Sequence, residues 1–231
     1  MLKVLIISTA AGVLGTFLGG VIAVFLKKSK NLSAIASLFA GGFMLAIVSF
    51  ELIPEAARLG SVVNVILSFV SGVIVVILAN TVFGSKKRDS TNGLLIFIAI
   101  AIHNFPEGLA IGGGEVAAIG TTVAILIALH NIPEGVALSV PLLQVGKSVC
   151  HTLIMSAIAG LPTALGGVAG HMLSLSSPFF VCSCLALAAG SMTFVTFSEI
   201  LPEGTKDAES PNALLLASAG FLAGFIACTI L

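Results

Sequence analysis

His103-Asn104-Phe105-Pro106-Glu107-Gly108 lies inside one apolar run of this chain, Leu94–Gly112, and His130-Asn131-Ile132-Pro133-Glu134-Gly135 lies inside the next, Val116–Ser139. Each hexapeptide puts an imidazole and a carboxylate four residues apart, which is one face of a helix. Each also holds a proline that cannot donate to the carbonyl four residues back, Ile102 for Pro106 and Leu129 for Pro133. Those oxygens are left free to face an ion or a water, and Gly108 and Gly135 allow close backbone approach. Ionisable groups inside a lipid-spanning helix are costly, so by default they mark a site.

The runs around the hexapeptides set the fold class. Hydrophobic residues make up 58% of the 231 and charged residues only 9%, with a mean hydropathy of +1.19, more apolar surface than a soluble domain of this length uses. Eight apolar segments can be drawn: Leu2–Phe25, Leu32–Ala57, Val62–Val82, Leu94–Gly112, Val116–Ser139, Val149–Leu173, Pro178–Leu201 and Asn212–Leu231. Most reach the ~20 residues that a bilayer requires, and they are too long and continuous for barrel strands. The expectation is an all-α polytopic membrane protein in the lipid bilayer, one transmembrane domain over 1–231 with no soluble domain and no nucleic-acid partner. The first segment begins with Lys3, but its long apolar run, the lack of a clear small-residue cleavage site and the following Lys27-Lys28 read as a retained helix. Tyr and Trp are absent, so Lys and Arg must anchor the helix ends. With eight spans, Lys27, Lys28, Lys30, Lys86, Lys87, Arg88, Lys147 and Lys206 fall on one side, and only Lys3 and Arg58 on the other. That bias puts the first side in the cytoplasm and both termini outside.

An internal repeat organises these spans. Ala40–Ala56 aligned with Ala188–Gly204, an offset of 148, pairs Ala40 with Ala188, Gly42 with Gly190, Met44 with Met192, Glu51 with Glu199, Pro54 with Pro202 and Glu55 with Glu203. Glu and Pro are rare here, so these identities exceed what shared hydrophobicity supplies. The same offset pairs Gly12 with Gly160 and Gly19 with Gly167. The copies sit in the second and seventh spans, which run in opposite directions. An inverted repeat follows, 1–82 against 149–231, around the central pair 94–139. Glu51 and Glu55 then lie toward one mouth, Glu199 and Glu203 toward the other, where carboxylates concentrate cations; the alternative is solvated helix-end residues.

Both hexapeptides lie about nine residues, or ~14 Å, from the loop that joins their helices, hence at matching depth near the bilayer midplane. His103, Glu107, His130 and Glu134 offer two nitrogens and two carboxylates, enough for a four-coordinate, borderline site for first-row divalent metals. Asn104 and Asn131 add neutral oxygens. Met44, about twelve residues into its span, is a candidate thioether ligand or a packing residue. His151 and His171 read as interfacial, and Cys182-x-Cys184 as packing rather than a soft-metal pair.

These motifs resemble those of the ZIP metal-ion transporters, particularly the short bacterial type, over essentially the whole chain. The resemblance implies uptake of zinc, often with iron, manganese, cobalt or cadmium, across the plasma membrane into the cytoplasm, commonly by a homodimer, with metal as substrate and no cofactor. It implies a principal site on His103, Glu107 and Glu134 with Met44 contributing, a neighbouring one on Asn104, Asn131 and the shared Glu107 and Glu134, and His130 lining the same path. Where many relatives carry a glutamate in the sixth span, this chain has Thr163, a weaker and neutral ligand. Function classes beside a carrier are a selective divalent-cation channel and a non-transporting metal sensor. No phosphate-binding loop is present for ATP, and no His-Glu-x-x-His for a metalloprotease, so an enzyme is not expected.

Overall fold

The computed structural model describes the backbone of residues 1–26, 32–83, 93–206 and 210–231, and their side chains apart from those of 26, 33, 82–83, 93–103, 203, 206 and 210–212. Helices account for nearly all of it, and there is no strand among the described residues. Helix α1 runs Leu2–Thr9, widens into a π turn at Ala10–Leu14 and continues as Gly15–Leu26. Helix α2 is Leu32–Ile47, a π turn at Val48–Leu52, then Ile53–Leu59. Helices α3, α4 and α5 are Val62–Phe83, Gly93–Val116 and Gly120–Gln144. Helix α6 is broken at Gly160 into Val149–Ala159 and Leu161–Ser174. Helix α7 is Pro178–Val195, a π turn at Thr196–Ile200, then Leu201–Lys206, and α8 is Ser210–Ile230. Seven stretches of described residues, all but α4, are long and apolar enough to cross a membrane.

The irregular turns have local causes. Pro54 cannot donate to Phe50 O, nor Pro202 to Ser198 O; the wider i→i+5 pattern of a π turn passes over the missing donor. Pro162 likewise has no N–H for Ile158 O, and α6 breaks beside it at Gly160. Pro106 and Pro133, by contrast, lie inside α4 and α5, which remain helical through them. The α4–α5 connection is as short as the run boundaries suggest but lies four residues later: Ala117–Ile119, with Ala118 at φ 66° and Ile119 N–H closing on Gly114 O at 2.8 Å.

Packing follows the glycines. A Cβ on Gly108 would collide with Thr163 O and one on Gly166 with Phe105 O, which joins α4 to α6 at backbone contact; Gly135 against Thr16 O and Gly19 against Ile132 O do the same for α5 and α1. Gly42 meets Ala217 O and Gly220 meets Phe39 O between α2 and α8, while Gly190 meets Phe69 O and Gly72 meets Leu187 O between α7 and α3. The helices thus pair α1 with α5, α4 with α6, α2 with α8 and α3 with α7.

Hydrogen bonds draw the pairs into two groups. In the first, Thr16 Oγ1 donates to Ser156 O at 2.7 Å and Ser156 Oγ donates back to Thr16 O, clamping α1 to α6. Lys3 Nζ pairs with Glu115 at 2.6 Å between α1 and α4. In the second, Ser191 Oγ donates to Gly72 O at 3.2 Å and Asn80 Nδ2 to Glu199 Oε1 at 2.7 Å, both between α7 and α3, and Thr196 Oγ1 of α7 lies 2.9 Å from Met44 Sδ of α2. Between α1, α4, α5 and α6 on one hand and α2, α3, α7 and α8 on the other lies an apolar seam, with Ile47, Ile111, Ile127, Leu185 and Met192 fully or nearly fully buried in one cluster.

Candidate metal centre

The seam is bordered on the α4–α5 side by the hexapeptides. Glu107 lies nine residues before the end of α4 and His130 ten residues after the start of α5, so the short turn between these antiparallel helices brings them level. His130 Nε2 stands 2.9 Å from Glu107 Oε1, and neither side chain has any solvent exposure. Glu134, one turn beyond His130 on the same helix face, is also buried. One donor atom from each of Glu107, His130 and Glu134 falls within 4.8 Å of the others. Donors around a tetrahedral zinc sit about 3.4 Å apart, given bonds of about 2.0–2.2 Å, so a small inward movement of the three side chains would supply three of its four donors. Two carboxylates carry two negative charges, which one dication neutralises.

The shell around these residues is rich in oxygen without partners. Among the described residues, Asn104 Oδ1, Asn131 Oδ1, Glu107 Oε2 and Thr163 Oγ1 are buried and accept or donate no hydrogen bond. A buried polar atom left unpaired costs about 1–3 kcal/mol. Buried polar atoms without partners are few in folded proteins, and three of these four belong to the hexapeptides. The amide nitrogens of the two asparagines are engaged: Asn104 Nδ2 donates to Ala159 O at 2.8 Å and Asn131 Nδ2 to Ala11 O at 3.2 Å.

The sequence-derived residues divide accordingly. Glu107, His130 and Glu134 come together, with Asn104 and Asn131 beside them on the same helices; His130 is therefore a member of the cluster and not only a residue lining a path. His103 is one turn before Glu107, but its side chain lies outside the described residues. Thr163 is buried against α1, where a Cβ on Gly12 would stand 2.7 Å from its hydroxyl. Met44 is fully buried, and its Sδ lies 2.9 Å from Thr196 Oγ1, a hydroxyl that also donates to Met192 O at 2.7 Å. Of the mouth carboxylates, Glu55 forms a two-pronged ion pair with Arg58, and Glu199 accepts from Asn80. Glu51 is partly exposed, and the side chain of Glu203 lies outside the described residues. Cys182 and Cys184 are buried, Cys182 against Gly60, as packing residues are.

Sequence reasoning missed Thr196, Asn80 and the carbonyls of Ala11 and Ala159. Asn80, a carboxamide near the end of an apolar helix, was a signal available to it. So was Gly160-Leu161-Pro162, which announces a broken helix with free carbonyls. Nothing in the sequence marks the π turn at Ala10–Leu14, which contains no proline.

Comparison with known proteins bears on the chain as a whole. A family model described as ZIP Zinc transporter matches residues 84–231, which include both hexapeptides. Zinc transporter ZupT of Akkermansia muciniphila is 32% identical, over 96% of this chain and 95% of its own length. Zinc transporter ZupT of Streptococcus mutans is 32% identical over 95% and 93%. Zinc transporter ZupT of Chlorobium chlorochromatii is 30% identical over 94% and 92%. Similarity on that scale extends across the apolar helices of a multi-pass membrane protein, and the chain belongs to the ZIP zinc transporter family.

Proposed function

We propose that this chain carries zinc, with iron, manganese, cobalt and cadmium as further candidate substrates, across the plasma membrane into the cytoplasm. The ion binds at Glu107, His130 and Glu134, with His103, Asn104 and Asn131 around it. One observation carries the reading: the buried imidazole and two carboxylates meet across α4 and α5, in a family whose relatives are named zinc transporters. Imidazole and carboxylate together suit borderline first-row dications, and the metal is cargo, not a cofactor. Binding replaces a hydration shell with fixed donors and neutralises the ion where the surroundings are apolar.

Alternating access is the mechanism that the packing supports. Two internally bonded helix groups meet at an apolar seam beside the site, and movement of one against the other exposes the ion to each side in turn. We read all eight helices as spans, α4 included, with α1–α3 and α6–α8 as inverted repeats. The π turns Val48–Leu52 and Thr196–Ile200 lie 148 residues apart, the offset of the sequence repeat. The glycine contacts obey it as well. Adding 148 to Gly42 and subtracting it from Ala217 turns the Gly42–Ala217 contact into Gly190–Phe69, and Phe39–Gly220 becomes Leu187–Gly72. Met44 is a packing residue at the seam in this reading. Glu51, Glu55, Glu199 and Glu203 flank the two approaches, and Thr163 stands by the path as a neutral oxygen.

Zinc uptake by purified protein in proteoliposomes tests this. We expect flux that saturates with zinc concentration and needs no ATP; unitary currents identify a channel instead, and binding without flux a sensor. In the same vesicles an impermeant maleimide reads orientation at the exposed Cys150, beside Lys147. Inward uptake is expected in vesicles that shield Cys150; uptake confined to those that expose it contradicts the cytoplasmic assignment.

A further inference from the structure

The asparagine of each hexapeptide is bonded to a neighbouring helix at the place where that helix is interrupted. In α6, Thr163 N–H turns to Gly160 O at 3.3 Å rather than to Ala159 O four residues back. Ala159 O thus lacks its helical donor, and Asn104 Nδ2 replaces it at 2.8 Å. In α1 the interruption is the π turn Ala10–Leu14, and there Asn131 Nδ2 donates to Ala11 O. The two arrangements correspond: Ala11 and Ala159 are 148 residues apart, and Asn104 and Asn131 occupy the same hexapeptide position.

These bonds fix how each carboxamide lies. The flipped orientation sets Oδ1 against a carbonyl oxygen, so Nδ2 must face the interrupted helix. Oδ1 of each is then held in the interior with no partner among the described residues. Glu107 follows Asn104 by three residues and Glu134 follows Asn131 by three, the helical spacing that shares a face.

We infer that Asn104 and Asn131 are positioning residues whose amide N–H groups the site requires. They tie the interruptions of α6 and α1 to the two carboxylate-bearing helices, and so present the carboxamide oxygens and hold α1, α4, α5 and α6 in one register. This rests on the metal site proposed above. It differs from a simple ligand role in one respect: an oxygen ligand is improved by aspartate, which has the same size, a negative charge and no N–H to give.

The test is Asn104→Asp and Asn131→Asp in the full chain, with zinc affinity read by competition against a chromophoric chelator and melting followed in parallel. Removing a group that orients metal ligands weakens metal binding about 10–100-fold, and we expect at least the lower figure in each variant. Affinity equal to or tighter than native overturns the inference in favour of oxygen ligation alone. A lowered melting midpoint with unchanged affinity overturns it in favour of a purely structural bond. Ser191→Ala, which removes a buried bond between α7 and α3 away from the site, is the reference for that outcome. Should Asn104→Asp fail to fold, Asn131→Asp, across a longer bond of 3.2 Å, gives the same reading. Glu134→Ala separates the two levels. If it binds zinc as the native chain does, the site itself is misassigned; if it loses binding while the aspartate variants keep it, only the positioning role fails.

Discussion

Glu107→Gln is expected to cut zinc uptake by at least about 100-fold while leaving the protein folded. Glu107 is fully buried, with His130 Nε2 against one carboxylate oxygen and no hydrogen-bond partner for the other among the described residues. In the proposed site it balances a dication together with Glu134, in surroundings where an unbalanced charge is costly. Removing one member of a buried charge pair costs about 3–5 kcal/mol, or roughly a factor of 10² to 10⁴ in binding. Glutamine keeps the volume and can still accept from the imidazole, so the change isolates charge from packing. Proteoliposome flux together with the melting midpoint is the measurement. Uptake within threefold of native, from a protein that melts normally, places the ion elsewhere.

Gly108→Val and Gly135→Val are expected to damage the fold itself. At each position the added Cβ runs into a main-chain carbonyl, Thr163 O for Gly108 and Thr16 O for Gly135. A backbone carbonyl in a packed helix cannot rotate away as a flexible side chain does, so the helices must part. Overpacking costs about 1–3 kcal/mol and sometimes more. For a chain of this length that lowers the melting midpoint by roughly 2–12 °C, with loss of monodisperse protein in detergent. Both variants part α4 from α6 or α5 from α1, so they disturb the bonds of Asn104 and Asn131 as well. Gly114→Ala is the contrast: its nearest neighbours would stand 3.3 Å away, a contact that small shifts relieve. Normal melting of both valine variants contradicts the close approach.

The class of fold was readable because lipid imposes a simple rule: apolar runs of helical length, with the few charges at their ends. That Glu107, His130 and Glu134 come together was legible because such residues stand out in apolar runs, and because the motif occurs twice at one depth. The paired π turns at Val48–Leu52 and Thr196–Ile200 were foreshadowed by Pro54 and Pro202, which stand out from an apolar background. What did not show was tertiary. Nothing local says that Asn104 and Asn131 spend their nitrogens on Ala159 and Ala11, because carbonyls are freed by helix geometry, not by residue type. The pairing of Glu55 with Arg58 could be seen at its i, i+3 spacing. The engagement of Glu199 by Asn80 spans 119 residues and needed the α3–α7 contact. The approach of Thr196 Oγ1 to the Met44 sulfur spans 152 residues and was equally out of reach.

The central claim is that α4 and α5 hold one dication between Glu107, His130 and Glu134. Anomalous diffraction at the zinc edge from zinc-loaded crystals tests it most directly. The account predicts a peak about 2.0–2.2 Å from a carboxylate oxygen of Glu107, a ring nitrogen of His130 and a carboxylate oxygen of Glu134. Side chains turned away from one another, with no peak among them, would contradict it.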